Sequence, residues 1–123
     1  MNITITDHNT ISEIQNEFCK NFPFLKLEFY YLPGGEYNRF EKKRSIDPEK
    51  KIGNVRIVHR NSQIIIEPYI SVFELEKNFR EIYGLSIGVY RKSGNVWLPS
   101  TTTDEWSLYE QNKQGEILDF IAD

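Results

Sequence analysis

The residues of this 123-residue chain that could take part in chemistry are few and widely spaced. Cys19 is the single cysteine, and it would need an activating neighbour, because the thiolate is the reactive form of a cysteine nucleophile. No sequence signature of a catalytic cysteine surrounds it. The two histidines, His8 and His59, lack metal-ligand residues at a useful spacing, and a zinc site needs about four ligands. We therefore expect neither a catalytic residue nor a metal site.

Three glutamates could serve as general acids or bases, but their spacing favours a structural role. Each follows a hydroxyl residue by three positions, which is the spacing of a capping box at the start of a helix. The pairs are Thr10 with Glu13, Ser71 with Glu74 and Ser107 with Glu110. The usual motifs for acyl transfer, metalloproteolysis and phosphate binding do not occur. The sequence thus predicts a protein that is not an enzyme and holds no cofactor.

Aromatic side chains are the remaining candidates for function. Two tryptophans lie beside a predicted hairpin and a predicted helix start, where such residues either anchor an interface or close the end of a core. Three further aromatic residues accompany the basic residues of a long polar segment, residues 32–54. The candidate interaction residues are Trp97, Trp106, Tyr31, Tyr37 and Phe40.

Charge and composition narrow the class of partner and compartment. The net charge of −3 argues against nucleic acid or an anionic membrane as partner, since a cationic surface holds such partners. One cysteine cannot form an intramolecular disulfide. Neither a signal peptide nor a run of about 20 apolar residues occurs. We expect a cytoplasmic protein with an unidentified protein partner.

The elements that would position these residues form an internal repeat. Residues 3–23 align with residues 64–84 at a constant offset, and residues 25–30 align with residues 85–90 after a deletion of one residue. Each copy has alternating apolar residues, then a capped helix, then a second alternating stretch. The repeat therefore predicts two units of strand, helix and strand.

The units span residues 3–31 and 64–91, with residues 32–54 as a loop insertion in a single domain over residues 1–123. A loop of this length is either functional or mobile. The insertion is therefore a second candidate binding region beside the aromatic residues.

The two predicted helices have the same design. An apolar stripe at helical spacing includes Phe18 in the first helix and Phe79 in the second. Pro23 and Gly84 end the helices at matching positions. We expect both stripes to pack on a shared sheet, which gives an α+β two-layer sandwich with two main helices on one face.

Shorter elements complete the second half of the chain. Alternating residues and turn residues mark the strands, while a capping box and a glycine mark the helix. The predicted elements are a hairpin of residues 55–58 with 64–66, a turn at 93–95 leading to a strand over 96–98, a helix from Ser107 to Gly115, and a final strand over 116–120.

From residue 54 to residue 121 this order resembles the β-grasp arrangement of ubiquitin-like domains. The resemblance rests on Glu67-Pro68, the capped helix from Ser71, the hairpin at Ser93-Gly94-Asn95, and Ser107-Leu108 opening a short helix. It implies a mixed β-sheet. The chain ends Phe120-Ile121-Ala122-Asp123 without a diglycine tail, so the chemistry of conjugated modifiers and sulfur carriers is not expected.

Two alternatives remain open at this point. Residues 83–106 are also similar to a group of small bacterial proteins, a similarity that implies no activity. Two strand–helix–strand units are equally the content of a ferredoxin-like domain, with both helices on one face of an antiparallel sheet. The sequence does not choose between the β-grasp and ferredoxin-like strand orders.

The functional expectation is a non-catalytic protein-interaction module that binds through the sheet near residues 96–98 or through the 32–54 loop. An exposed strand edge can add a partner's strand through backbone hydrogen bonds. The alternative is a small-ligand or enzymatic domain with a pocket between the loop and the sheet. Single-stranded nucleic-acid binding through the loop is a third, weaker hypothesis, because acidic residues interleave with the basic ones there.

Overall fold

The computed structural model describes residues 1–31, 44–56, 59 and 61–122. The chain is α+β. Its elements are β1 (Asn2–Ile5), α1 (Ile11–Asn21), β2 (Leu25–Tyr30), a 3₁₀ turn (Ile52–Asn54), β3 (Ser62–Ile65), α2 (Val72–Tyr83), β4 (Ser86–Ser93), β5 (Val96–Pro99), a second 3₁₀ turn (Thr101–Thr103) and α3 (Leu108–Ala122). Most of the predicted 32–54 loop, including Tyr37 and Phe40, lies outside the described residues.

The strands of the described residues form two antiparallel sheets, not the one mixed sheet that the sequence predicts. β1 pairs with β3, and β4 lies between β2 and β5. The described strands also do not form the single antiparallel sheet that the ferredoxin-like alternative requires. Alternating apolar residues show which face of a strand is buried, but they do not specify its neighbour or direction. The alternation of apolar residues therefore could not predict which strands pair with each other.

The helices begin where the capping boxes predict. The Oγ1 of Thr10 accepts a hydrogen bond from the Glu13 amide at 3.2 Å, and the Oγ of Ser71 accepts one from the Glu74 amide at 3.1 Å. Each satisfies a first-turn amide that has no partner inside the helix. Gly84, with φ of 65°, ends α2 in the left-handed conformation that favours glycine.

Both predicted apolar stripes face one hydrophobic core. Phe18 of α1 and Phe79 of α2 are completely buried, as the periodicity predicts. Phe79 meets Phe29 of β2 edge to face, with ring centroids 6.1 Å apart. The core cluster takes residues from both halves of the chain, from Ile3 of β1 to Leu108 of α3.

The predicted break at Gly115 is wrong, because one helix runs from Leu108 to Ala122 and no strand forms at residues 116–120. Gly115 is buried inside this helix. A β-carbon added there would lie 2.9 Å from Phe24 Cβ and 3.0 Å from Phe24 O. The glycine therefore allows α3 to approach the start of β2 closely, and it does not end a helix.

The final strand of the β-grasp order is thus helical in the structure. The predicted strand over residues 55–58 is also not formed where the chain is described, since Val55 and Arg56 follow the first 3₁₀ turn without strand pairing, and residues 57 and 58 lie outside the described part. The capped helix from Ser71 and the hairpin of β4 with β5 are present. The β-grasp resemblance itself stays a prediction.

One set of backbone hydrogen bonds occurs twice along the chain. In each half, the segment that follows the second strand runs back along the fold. It forms backbone hydrogen bonds with that strand, with the first turn of the helix and with the residues just before the helix. All ten bonds run from N–H to C=O and measure 2.8 to 3.1 Å. Each first-half bond is followed here by its second-half match: Ile46 to Phe29 matches Ser100 to Val89; Ile11 to Lys50 matches Val72 to Trp106; Ser12 to Pro48 matches Phe73 to Asp104; Ile52 to Asn9 matches Leu108 to Ile70; Gly53 to Asp7 matches Tyr109 to Pro68. We call residues matched in this way counterparts.

The strand registers follow the same correspondence. Ile3 lies opposite its sequence counterpart Ile64 in the first sheet, and Glu28 lies opposite Gly88 in the second. Over these hydrogen bonds and registers the two halves have the same backbone arrangement, which we call the backbone frame, and counterpart pairs within it can be compared position by position.

Replacing Gly115 with alanine tests the close approach of α3. Alanine is the better helix former by about 1 kcal/mol, yet the clash with Phe24 should lower the free energy of unfolding by about 1–3 kcal/mol. Urea denaturation measures the change. Gln114→Ala, at the neighbouring position, is the control and should change stability by less than about 0.5 kcal/mol. A Gly115→Ala variant as stable as the wild type would contradict the packing role.

Candidate interaction surface

The structure separates the two tryptophans that the sequence singled out. Trp97 lies opposite Lys92 in the β4–β5 pair, whereas Arg91 lies opposite Leu98. Because successive side chains of a strand point to opposite faces, Trp97 and Arg91 lie on opposite faces of the sheet. Trp106 stacks with Arg91, whose guanidinium carbon is 5.5 Å from its ring centroid. The tryptophans therefore do not form one site.

Trp97 and Tyr31 are both half-buried and already in contact with cations. The Nζ of Lys26 lies 5.3 Å from the Trp97 ring centroid and 5.7 Å from that of Tyr90. The guanidinium carbon of Arg44 lies 5.3 Å from the Tyr31 ring centroid. These intramolecular contacts use one face of each ring. Both residues remain interaction candidates.

Trp106 belongs to a group of four exposed aromatic side chains, which we call the aromatic cluster. Its members are Tyr69, Phe73, Trp106 and Tyr109, with exposed fractions of 77%, 51%, 38% and 59%. Tyr69 precedes the cap of α2 and Phe73 lies in its first turn. Trp106 and Tyr109 occupy matching places at the start of α3.

Backbone hydrogen bonds hold the two helix starts side by side. The amide of Val72 donates to Trp106 O at 3.1 Å, and the amide of Tyr109 donates to Pro68 O at 2.8 Å. Ser71 and Ser107, the two capping residues, form an antiparallel bridge between them. The main chain therefore fixes the positions from which all four aromatic side chains project.

Gln111 holds the segment that carries Trp106. Its side chain is completely buried, and its Nε2 donates to Thr103 O at 2.7 Å and to Thr103 Oγ1 at 2.8 Å. Its Oε1 accepts a hydrogen bond from Arg91 at 3.0 Å. The amide of Trp106 donates to Thr103 O at 2.9 Å. This network orders the backbone on the α3 side of the cluster before any partner binds.

The large hydrophobic side chains that are exposed cluster in the second half of the part of the chain that the structure describes. Within the described residues, all 11 large hydrophobic side chains that are exposed lie between residues 65 and 121. The counterparts of the four cluster residues are His8, Ser12, Lys50 and Gly53. The same backbone frame is thus built in the first half without any aromatic residue at these places.

Acidic residues surround the aromatic cluster. They adjoin its members along the chain or through the backbone hydrogen bonds, and none is in an ion pair with a described residue: Glu67, Glu74, Asp104, Glu105 and Glu110. The cations nearby are Lys77, one turn after Phe73, Lys113, one turn after Tyr109 and 3.8 Å from Glu116, and Arg91, which stacks on Trp106. The rim of the cluster is therefore predominantly negative.

A second cluster of polar side chains joins distant parts of the chain. The Oδ1 of Asp7 accepts hydrogen bonds from Arg56 Nε at 3.0 Å and Nη2 at 2.9 Å, while Asp7 Oδ2 lies 2.8 Å from His59 Nδ1. The Arg56 side chain is completely buried and donates to Tyr83 O, at the end of α2, at 3.3 Å. Sequence analysis missed this cluster because 49 positions separate Asp7 from Arg56.

The geometry gives this cluster a structural role. A carboxylate that holds a histidine resembles half of an acid–base apparatus. However, the residues that the structure describes bring no hydroxyl or thiol into hydrogen-bond contact with His59, and they contain no group of three metal-ligating residues. Arg56 places its positive charge at the C-terminus of α2, where the helix dipole favours a cation. Asp7 and Arg56 therefore link the residues before the N-terminus of α1 to the C-terminus of α2.

Two open grooves of the described surface are lined mainly by polar and charged residues. One, of about 430 Å³, lies between β1 and α1, and another, of about 480 Å³, is lined by residues 47–54. Asn9, Glu13 and Lys20 are among the residues that line the first groove. Apolar side chains with a few convergent polar groups are typical of small-molecule sites. Neither groove has that character, and Cys19 lines neither of them.

Comparison of the chain with protein-family models, curated proteins and solved structures found no match. None of the helices in the described ranges combines the length and apolar composition needed to cross a bilayer. The aromatic cluster and its acidic rim are therefore the features from which a function can be inferred.

The link between Asp7 and Arg56 predicts a specific dependence of stability on pH. Partial burial raises the pKa of Asp7, but hydrogen bonds from Arg56 and His59 and the charge of Arg56 outweigh it, so the pKa lies below its ordinary value of 3.8. A lowered pKa in the folded state stabilises the protein above pH 3.8. That contribution disappears as the pH falls through the folded-state value.

Asp7→Asn should therefore lower the urea midpoint at about pH 6 and have a smaller effect at a pH well below 3.8, as the wild-type carboxylate becomes protonated. Urea unfolding at both pH values measures the difference. Asp47→Asn, which changes an exposed carboxylate outside any described ion pair, is the control. Equal destabilisation of Asp7→Asn at both pH values would show that shape, not charge, explains the role of Asp7.

Proposed function

We propose that this protein is a non-catalytic protein-interaction module that binds its partner through the aromatic cluster. The observation that carries the proposal is the contrast between counterparts. Tyr69, Phe73 and Trp106 stand where the first half has His8, Ser12 and Lys50 on the same backbone frame. Since the frame forms with polar residues there, folding does not explain the aromatic ones.

The contrast has more force if the two halves share an origin, and we infer that the chain is an internal duplication. Five pairs of matching backbone hydrogen bonds and the facing of Ile3 with Ile64 support this inference. The repeat then extends beyond the strand–helix–strand unit and includes the returning segment. In this view the first half retained a polar helix-start surface and the second half acquired an aromatic one.

The residue types suit a binding surface. Tryptophan and tyrosine are enriched among residues that dominate binding energy, and burial of one such side chain in an interface often contributes about 2 kcal/mol or more. A rim of polar and charged residues around such a centre is the usual organisation of an interface. The aromatic cluster supplies the centre, and Glu67, Glu105 and Glu110 lie on its rim.

The edge of β5, the expected binding region near residues 96–98, is a weaker candidate than the aromatic cluster. The free edge of β5 is four residues long and ends at Pro99, which has no amide hydrogen to donate to a partner strand. Val96 and Leu98 are exposed there and can extend a contact that begins at the cluster. We therefore place the main binding energy at the aromatic cluster.

Substitution by the first-half residues gives a direct test. The double variant Tyr69→His with Phe73→Ser should keep the fold, because the matching positions in the first half carry these residues. It should weaken binding of a partner captured from a lysate of the source organism by about 100-fold in Kd, which corresponds to about 2.7 kcal/mol. Titration calorimetry with the purified partner measures the change.

The matched control is His8→Ala with Ser12→Ala, which alters the counterparts and should leave Kd within about twofold. Circular dichroism and thermal unfolding verify that both variants fold. A captured partner that binds both variants with the wild-type affinity would contradict the assignment of the surface, as would the absence of any partner that depends on it.

A further inference from the structure

We infer that the partner presents a cationic and apolar segment, with lysine or arginine side chains next to aliphatic or aromatic ones. This inference rests on the proposed function and specifies the chemistry of the partner. The observation behind it is the charge around the aromatic cluster. Residues 103–110 contain three acidic residues and no basic one, whereas their counterparts, residues 47–54, contain two acidic residues and two lysines.

Helix starts alone do not explain this excess. Acidic residues are common there because the helix dipole and the free amides favour negative charge. The first half provides a control for the start of α2, since the start of α1 has matching backbone hydrogen bonds. Only Glu74 and Glu105 match acidic counterparts, Glu13 and Glu49.

The remaining acidic residues of the rim lie opposite neutral counterparts. Glu67, Asp104 and Glu110 correspond to Thr6, Pro48 and Asn54. Glu67 and Asp104 are additional to what the start of α2 requires, whereas Glu110 lies in the first turn of α3, whose first-half counterpart is the 3₁₀ turn Ile52–Asn54. All three coincide with the aromatic cluster.

The aromatic rings add to the preference for cations. A ring face attracts lysine or arginine through its electrostatic quadrupole. Arg91 already stacks on one face of Trp106. Tyr69, Phe73 and Tyr109 remain at least half exposed and can receive a partner's cation or its apolar side chain. In a segment that carries both kinds of group, the cations would pair with the acidic rim and the apolar side chains would pack on the aromatic cluster.

The same charges disfavour the other occupants. A second copy of the chain would bring two acidic rims together, and juxtaposed like charges weaken association. Nucleic acid and anionic lipid carry the charge of the rim itself. A basic segment of another protein is the occupant that complements both properties of the surface.

Selection from a random peptide library identifies the preferred chemistry without a known partner. The full chain is the bait, and the Tyr69→His with Phe73→Ser variant removes peptides that do not need the cluster. We expect the remaining peptides to be enriched in lysine and arginine next to apolar residues. One synthetic peptide is then measured by calorimetry, and its Kd should rise about tenfold between 50 mM and 300 mM salt.

Charge-neutral variants test the rim itself. Asp104→Asn with Glu105→Gln should weaken that peptide by about tenfold, while Asp47→Asn with Glu49→Gln, the same changes of charge in the matching first-half segment, should have no effect. Cluster-dependent peptides that are neutral or acidic, or that bind independently of salt, would overturn the cationic partner and leave the interaction surface standing. If no cluster-dependent peptide emerges, or if Phe73→Ser abolishes a dimer of the chain in sedimentation, the cationic partner is also rejected.

Discussion

The fold depends on how the first amides of its helices are satisfied. These amides have no acceptor inside a helix, and a side-chain cap supplies only one. Here a segment that returns after the second strand of each half supplies acceptors for two more. Pro48 O and Lys50 O accept from the first turn of α1, and Asp104 O and Trp106 O accept from the first turn of α2. This one requirement fixes the path of the chain after each strand pair.

The same requirement explains the location of the candidate surface. A returning segment that bonds a helix start must lie beside it, so side chains from both converge at one point. In the second half these side chains are aromatic. The buried Gln111 side chain donates a hydrogen bond to Thr103 O and so holds the backbone that carries Trp106. The backbone hydrogen bonds that satisfy the helix starts therefore also bring together the residues of the proposed binding surface.

Local signals in the sequence predicted the local structure correctly. The caps at Thr10 and Ser71 and the burial of Phe18 and Phe79 follow from spacing within a single helix. Features that need two distant segments were missed. Gly115 resembles a helix end unless Phe24 is known to approach it, and the contact of Asp7 with Arg56 has no local signature. Phe73 lies off the buried stripe of α2, and this was an available hint of the aromatic cluster.

The facing of Ile3 with Ile64, and of Glu28 with Gly88, has a consequence for engineering. Antiparallel strands that pair counterpart with counterpart are related by a local twofold rotation, so each of these strand positions has a rotated copy in the other half. Transplanting Tyr69, Phe73 and Trp106 onto His8, Ser12 and Lys50 would give the chain a second surface of the same kind, whereas Gly53 must remain, because a β-carbon there would lie 2.7 Å from Asp7 Cβ. A chain with two such surfaces would gain avidity for a tandem ligand whose linker has the length and stiffness to reach both.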